Sequence, residues 1–215
     1  MASTSAFYKV HPDNPQRRSI EAVAECVRAG GVIAYPTDSC YALGCHIGDK
    51  AAMDRIRRIR KVDERHHLTL MCRDLADVGQ FAKLDNIPHR LIKANTPGSY
   101  TFILKASREV PRRLLAPRRT VGVRIPDHPV AMALLEALGE PMLSSTLVLP
   151  DHGVALNDAE EIRLHLAHVL DAIVDAGPCG IDVTTVVDLS GESPALLREG
   201  KGDPRPFGTV KAALH

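Results

Sequence analysis

The sequence lacks the motifs that assign many nucleotide-binding proteins and hydrolases to a class. No G-x-x-x-x-G-K-[ST] loop is present, since EGKGD at 199–203 has the wrong spacing, and no G-x-G-x-x-G follows a predicted strand. A G-x-S-x-G nucleophile elbow is also absent. A nucleotide bound by this chain would therefore be held by something other than the usual phosphate loops.

Aromatic residues make up only 4% of the chain and tryptophan is absent, which excludes a stacking platform for single-stranded nucleic acid. No apolar run approaches the roughly 18 residues that cross a bilayer, and the N-terminal segment lacks the apolar centre of a secretory signal. We therefore expect a cytoplasmic protein that does not associate with membranes.

The five cysteines are odd in number and lack paired spacing, which favours reduced thiols packed as small hydrophobic groups. A metal site can be drawn from Cys45, His66, His67 and Cys72, but no tight C-x-x-C or H-x-x-x-H pair supports it. We predict no metal site.

A chain of 215 residues with 45% hydrophobic content is long enough for one substantial core. Its net charge of +1 conceals an uneven distribution. Residues 1–150 hold 22 Lys and Arg against 15 Asp and Glu, whereas 151–192 hold nine acids and a single arginine. The bases cluster at 54–65 and 108–124. A solvated helix surface explains any one of these arginines, but two clusters favour an anionic ligand, either a nucleotide or a nucleic acid.

Hydrophobic periodicity and turn residues predict alternating helices and short strands, with Ser19, Asp49 and Asn157 as helix N-caps and Glu160 completing a capping box with Asn157. This alternation indicates an α/β sheet covered by helices. The predicted helices are 19–31, 50–60, 86–94, 129–139 and 157–166, and the predicted strands are 32–35, 41–47, 68–72, 100–105, 120–125, 141–149, 184–189 and 195–199.

The stretch AYPTDSCYALG, at 34–44, begins as a buried strand and then ends in a proline and short polar side chains. One interpretation is local: Asp38 and Ser39 bond nearby backbone groups in a turn that Pro36 starts. The other is functional, because loops at strand ends of α/β proteins carry binding groups.

Polar residues recur at the ends of other predicted strands, without an accompanying general base. Hydroxyls and guanidiniums in such places favour a pocket that positions anions through hydrogen bonds, which suits phosphoryl or adenylyl transfer. The residues concerned are Thr37, Ser39, Thr101, Arg124, Ser144, Ser145, Thr146, Thr184, Thr185 and Arg198.

Five motifs in series, YPTDSCYALG, NTPGSYTFILK, TVGVRIPDHP, TTVVDL and LLREG, resemble those of the YrdC-like family of threonylcarbamoyl-AMP synthases. TLMCRDL, EVPRRLLAP and LLEALGEPMLS are most similar to its YciO branch. The resemblance implies a twisted, open, mixed α/β sheet with a concave basic groove. It covers a single domain at 9–205, which leaves 1–8 and 206–215 as loosely ordered tails.

The resemblance also implies a reaction, in which L-threonine, bicarbonate and ATP give threonylcarbamoyl-AMP and pyrophosphate for the modification of certain tRNAs. ATP would be a substrate, accompanied by Mg²⁺, and no prosthetic group is expected. Thr37 matches a position that contacts threonine or its carbamoyl derivative, and Thr101, Arg124, Thr184 and Arg198 match other ligand-contacting positions. We predict a catalytic set of Arg60, Arg124 and Thr146, with the remaining strand-end hydroxyls and the nearby cations Lys61 and Arg65 binding substrate.

Three positions depart from the pattern of the synthases. A K-x-R pair after the basic helix corresponds to Arg60 and Val62, an S-x-N motif corresponds to Thr146 and Val148, and a histidine is replaced by Met71. Three hypotheses therefore stay open: an enzyme of weak or altered activity that makes or breaks threonylcarbamoyl-AMP, a protein that binds double-stranded RNA or tRNA in the same groove, and a small-molecule scaffold with neither property. The sequence predicts no oligomeric state.

Overall fold

The computed structural model describes residues 5–63, 68–111, 119–150 and 152–208, which form ten strands and six α-helices. The strands are β1 (Ala6–Lys9), β2 (Ile33–Tyr35), β3 (Ala42–His46), β4 (Thr69–Met71), β5 (Tyr100–Lys105), β6 (Thr120–Arg124), β7 (Met142–Thr146), β8 (Ala172–Asp175), β9 (Thr185–Asp188) and β10 (Ala195–Arg198). The helices are α1 (Arg17–Arg28), α2 (Lys50–Arg60), α3 (Leu75–Phe81), α4 (Asn86–Asn95), α5 (Pro129–Leu138) and α6 (Ala159–Leu166). Within these ranges, no helix has the length and apolarity needed to span a membrane.

All ten strands form one sheet in the order β1-β8-β2-β3-β7-β4-β6-β5-β9-β10. Four neighbouring pairs are parallel, namely β1 with β8, β2 with β8, β4 with β6 and β5 with β9, and the other five are antiparallel. The prediction of an α/β fold with a twisted, open, mixed sheet is confirmed.

Apolar side chains cover both faces of this sheet, but unevenly. On one face, α1 and α5 pack against each other and over β2, β3 and β8, through residues such as Val23, Leu134 and Ile33. The opposite face carries the larger core, which includes Ile56 of α2 and Ile162 of α6. The face beneath α1 and α5 continues across β4, β6, β5 and β9, and it is there that the cavity described below lies.

The helix caps agree only in part with the sequence predictions. Asp49 caps α2 as expected, and its carboxylate accepts a hydrogen bond from the Ala52 amide at 2.9 Å. The prediction for Ser19 is wrong, because α1 begins two residues earlier, at Arg17. Asn157 is also wrong as an N-cap: α6 is capped by Asp158, whose carboxylate accepts from the amides of Glu160 and Glu161.

The domain boundaries are wider than the sequence suggested. Ala6–Lys9 form the edge strand β1, which pairs with β8, so 6–8 belong to the sheet and are not a loose tail. At the other end, Phe207 is buried in a 3₁₀ turn. The centroid of its ring lies 5.9 Å from that of Tyr100 and 6.0 Å from that of Phe102. Residues 1–4 and 209–215 lie outside the described residues.

Candidate functional site

A cavity of about 290 Å³ opens on the half of the sheet face that α1 and α5 leave uncovered. Its floor follows from strand geometry, because alternate residues of a strand point to the same face. In β6, for example, Thr120, Gly122 and Arg124 line the cavity, whereas Val121 and Val123 are buried in the opposite core. The same alternation places Thr69 and Met71 of β4, Thr101 and Ile103 of β5, and Val186 of β9 on the cavity floor.

The lining of the cavity is rich in hydroxyl groups and positive charge. Arg60, Arg124 and Arg198 line it, and the described lining residues include no aspartate or glutamate. The hydroxyl-bearing residues are Thr37, Ser39, Thr69, Thr101, Thr120, Ser144, Ser145, Thr146 and Thr184. Guanidiniums and hydroxyls in a concave site are the groups that recognise phosphate and carboxylate oxygens. The lining of the cavity therefore offers the donor groups that an anion requires.

Arg124 is the most deeply buried of the three arginines, with a side chain 7% exposed. Its Nη2 donates to Asp38 Oδ1 at 2.6 Å, and the same carboxylate accepts from the Ser99 hydroxyl at 2.5 Å and from the Asp127 amide at 3.2 Å. The buried Nε of Arg124 has no hydrogen-bond partner among the described residues. Asp38 thus fixes one side of the guanidinium of Arg124.

The charge of Asp38 is maintained in spite of its burial. Removal from water acts to raise the pKa of this carboxyl, but the positive charge of Arg124 and the hydrogen bonds from Ser99 and Arg124 outweigh it and lower the pKa. Asp38 is therefore a carboxylate at neutral pH, and it does not itself line the cavity.

The turn at Asp38 is held by Thr37, so the local interpretation of AYPTDSCYALG is wrong about the residues: the side chains of Asp38 and Ser39 bond other side chains and the distant Asp127 amide. The Thr37 hydroxyl donates to the Cys40 carbonyl at 2.6 Å and accepts from the amides of Ser39 and Cys40 at 3.2 and 3.3 Å. The same hydroxyl is 3.4 Å from Nη2 of Arg124 and lines the cavity. A local turn and a binding role are compatible in this stretch, because the residues that form the turn also form one wall of the cavity.

Arg60 is the last residue of α2, and it lines the cavity. Its Nη1 donates to the Ser145 hydroxyl at 2.6 Å, and its Nε lies 3.5 Å from the Val148 carbonyl. Burial lowers the pKa of this guanidinium, although an arginine stays charged at any physiological pH. Lys61, the next residue, adopts a left-handed conformation that ends the helix, and it lies on a separate exposed surface with Val62 and Asp63.

Arg198 closes the cavity from the edge strand β10. Its Nε and Nη2 donate to the Thr184 carbonyl at 3.0 and 2.9 Å, and the Thr184 hydroxyl lies 2.9 Å from that of Thr101. Thr185 points elsewhere, and its hydroxyl donates to the Gly202 carbonyl at 2.6 Å. The segment 199–203 is therefore fastened to the cavity wall, and Lys201 Nζ also donates to the Asp38 carbonyl.

Gly200 allows the segment 199–203 to approach the cavity wall closely. We predict that Gly200→Ala lowers the free energy of unfolding by about 1–3 kcal/mol, the usual cost of overpacking. A Cβ at this position would lie 2.3 Å from the Val183 carbonyl oxygen and 2.5 Å from the carbonyl carbon of Thr184. Urea unfolding measures the effect. Gly191→Ala is the matched control, since its Cβ would meet nothing closer than 3.8 Å. Equal stability of the two variants would contradict the prediction.

Most of the residues that the sequence singled out meet in this cavity, and two of the described ones do not. Lys61 and Thr185 do not line it, and Arg65 lies outside the described residues. Those that the cavity brings together are Thr37, Ser39, Arg60, Thr101, Arg124, Ser144, Ser145, Thr146, Thr184 and Arg198.

Sequence reasoning missed Thr69, Thr120 and Cys40, which also line the cavity. Thr69 and Thr120 are the first residues of β4 and β6, whereas most of the predicted site residues come from the later part of a strand or from the loop after it. The alternation of TVGVR, in which every second residue is apolar, is the signal that would have found Thr120. Of the three departures from the synthase pattern, Met71 and Val148 line the cavity, whereas Val62 does not.

Comparison with known protein families gives a match over most of the chain. The family model Sua5_yciO_yrdC, described as "Telomere recombination", matches residues 25–200. The YciO protein of Escherichia coli K12 is 54% identical over 204 residues, which cover 94% of this chain and 99% of that protein. The crystal structure of E. coli YciO has a TM-score of 0.91 to this fold, with the same coverage of both chains.

More distant relatives include enzymes. A threonylcarbamoyl-AMP synthase of Mus musculus is 33% identical over 176 residues, which cover 79% of this chain and 61% of that enzyme. The structure of P. abyssi Sua5 complexed with L-threonine has a TM-score of 0.84 at 26% identity and covers 91% of this chain and 58% of that one. These relatives therefore carry additional sequence beyond the region that matches.

Proposed function

This chain belongs to the Sua5/YciO/YrdC family, and we propose that it is a cytosolic enzyme that binds ATP and L-threonine in the arginine-lined cavity and forms threonylcarbamoyl-AMP slowly. The family also includes threonylcarbamoyl-AMP synthases, and a Sua5 structure complexed with L-threonine shares the fold.

The observation that carries the proposal is the charge of the cavity. Three guanidiniums line it, and no carboxylate does so among the described residues. Phosphate and carboxylate oxygens satisfy such groups through charge-assisted hydrogen bonds. Mg²⁺ would then enter with the ATP phosphates, because the described lining offers no carboxylate to hold it alone.

The proposed chemistry needs positioning more than acid and base groups. The amine of threonine attacks bicarbonate and gives a carbamate with loss of water, and a carbamate oxygen then forms a bond to the α-phosphorus of ATP as pyrophosphate leaves. Negative charge accumulates on the phosphoryl oxygens in this second step. Arg60 and Arg124 supply fixed positive charge there, and the hydroxyl of Thr146 is placed to orient oxygens of the substrates.

The slow rate is proposed because Val148 lines the cavity where the synthases have an amide. A valine side chain makes no hydrogen bond, so one group that would act on the reacting atoms is missing. The backbone carbonyl of Val148 still accepts from Arg60.

Pyrophosphate release from purified protein tests the proposed activity directly. Release in the presence of Mg²⁺-ATP should depend on both threonine and bicarbonate, and threonylcarbamoyl-AMP should accumulate in parallel. Release that persists without threonine would indicate simple ATP hydrolysis, and no release together with no ATP binding would contradict the proposal.

For the nucleotide site, we predict that Arg60→Ala weakens ATP binding about 10- to 100-fold. A hydrogen bond to a charged group contributes about 1.5–3 kcal/mol, and a factor of ten corresponds to about 1.4 kcal/mol. Calorimetric titration with Mg²⁺-ATP and threonine measures the change. Arg90→Ala is the control, since this exposed arginine of α4 does not line the cavity. An equal loss of ATP affinity in Arg60→Ala and Arg90→Ala would indicate a non-specific charge effect.

Binding of double-stranded RNA or tRNA stays a prediction of the sequence. On α2, Arg55 is paired with Asp171 at 2.8 Å and Arg57 with Asp54 at 3.2 Å, and Arg60 is directed into the cavity. The described part of this helix therefore presents fewer uncompensated charges than the sequence suggests. Residues 112–118, which hold much of the second basic cluster, lie outside the described residues.

A further inference from the structure

Three potential metal ligands come together away from the cavity, in the acidic part of the chain. Ligand atoms of His152, Glu161 and His165 all lie within 4.8 Å of one another. The sequence predicts no metal site, because the spacings of cysteine and histidine do not show that a loop folds back on a helix.

The fold explains how these side chains meet. Glu161 and His165 are four residues apart on α6 and therefore share one face of the helix. His152 comes from the loop between β7 and α6, which doubles back through a bridge of Val148 with Ala155 and a hydrogen bond from the Leu156 amide to the Leu147 carbonyl at 2.9 Å. The His152 ring then packs edge-on against His165, with centroids 5.1 Å apart.

The bonding of these side chains also indicates a ligand. Nδ1 of His152 is buried and has no hydrogen-bond partner among the described residues, an arrangement that is uncommon for a polar atom. The surrounding segment, 151–192, contains nine acidic residues and one arginine, so its field attracts cations.

We propose that His152, Glu161 and His165 bind one divalent transition-metal ion of the zinc type, with water as the fourth ligand. Two histidines and one carboxylate are a ligand set of zinc proteins. At metal–ligand distances of roughly 2.0–2.1 Å, tetrahedral ligand atoms lie about 3.3 Å apart, so rotation of the half-exposed and exposed side chains of α6 brings the set into range. Mg²⁺ is a poor alternative because it requires oxygen ligands.

Such an ion would connect the loop to α6. Val148 belongs to the same loop and lines the cavity, so the metal would also hold part of the cavity rim in place. The proposal does not depend on the reaction assigned to the cavity.

The test is titration of metal-free full-length protein with Zn²⁺, followed by calorimetry, and with Co²⁺, followed by visible absorption. We expect one equivalent to bind, and the Co²⁺ spectrum to show tetrahedral bands without thiolate charge transfer. His165→Ala and Glu161→Gln should each weaken binding more than about tenfold, because even outer-shell changes cost 10–100-fold in metal affinity. Both positions lie on the outer face of α6, and the unfolding midpoint in chelator should stay unchanged.

The control variant is His168→Ala, which removes an exposed histidine close to His165 in the chain but outside the cluster. We expect this variant to bind Zn²⁺ as the native protein does. The proposal is overturned if the native protein binds no Zn²⁺, if all three variants lose affinity equally, or if thiolate bands show that cysteines hold the ion.

Discussion

Replacing Arg124 by alanine is expected to lower the free energy of unfolding by about 3–5 kcal/mol at pH 7, because the change leaves Asp38 as a buried carboxylate without its counter-ion. The two side chains are only 7% and 9% exposed, so solvent screens their interaction weakly. ATP binding should be lost in the same variant, since Arg124 lines the cavity. Urea unfolding and calorimetry measure the two effects.

The pH dependence of the stability difference distinguishes loss of the ion pair between Arg124 and Asp38 from simple loss of packing. In the native protein the pKa of Asp38 is lowered, so its contribution to stability is complete above the unfolded pKa of about 3.9 and is lost as the pH falls through the folded value. In Arg124→Ala, burial without the arginine raises the pKa, and the folded variant takes up a proton as the pH falls. The stability difference between native protein and variant should therefore narrow from pH 7 towards pH 4.

The double variant Asp38→Ala with Arg124→Ala is the control for this effect. It removes both charges, so the loss should be smaller than the sum of the two single losses. An additive double variant, or a stability difference that does not change with pH, would contradict the assignment of Asp38 and Arg124 as a coupled pair.

The second large effect is a gain of activity. Val148→Asn should raise threonine- and bicarbonate-dependent pyrophosphate release by up to about 10²- to 10³-fold, the usual value of one hydrogen bond to developing charge in an active site. The position suits the test, because Val148 lines the cavity and its carbonyl lies 3.5 Å from Nε of Arg60. Thermal melting confirms that the variant folds.

Two controls make the Val148 experiment specific. Val148→Ala removes volume without adding an amide, and Val62→Arg restores a family side chain on a surface that does not line the cavity. We expect neither to raise the rate. A native protein already as fast as an ordinary synthase, or a folded Val148→Asn variant with no gain, would show that this position does not limit the reaction.

Much of the fold follows from local patterns in the sequence. YTFILK alternates in burial along its length, as expected of a strand between two environments, and it forms β5 at the predicted residues. The edge strand β1 and the strand β8 could not be predicted in the same way. Each has four residues, and the pairing of Ala6–Lys9 with Ala172–Asp175 depends on the assembled sheet.

The candidate site could also be predicted from the sequence only in part. Its hydroxyls and arginines were predictable because they stand beside buried strands, and the family resemblance supplied their order. The role of Asp38 could not be predicted, because its partner Arg124 lies 86 residues away and the strand order alone brings them together. Its local turn chemistry gave no indication of a buried ion pair.

The order of strands has a consequence for synthesis on the ribosome. Translation adds residues from the N-terminus, yet β1 pairs only with a strand that begins at Ala172, and the cavity wall requires Arg198 and the segment that follows it. When synthesis has reached β7, the central strands β2 to β7 are complete. Their outer neighbours β8 and β9 are not yet made, so the edges of β2 and β5 are exposed. A ligand of the cavity therefore cannot stabilise the growing polypeptide, and the exposed strand edges would have to be shielded before any ligand can bind.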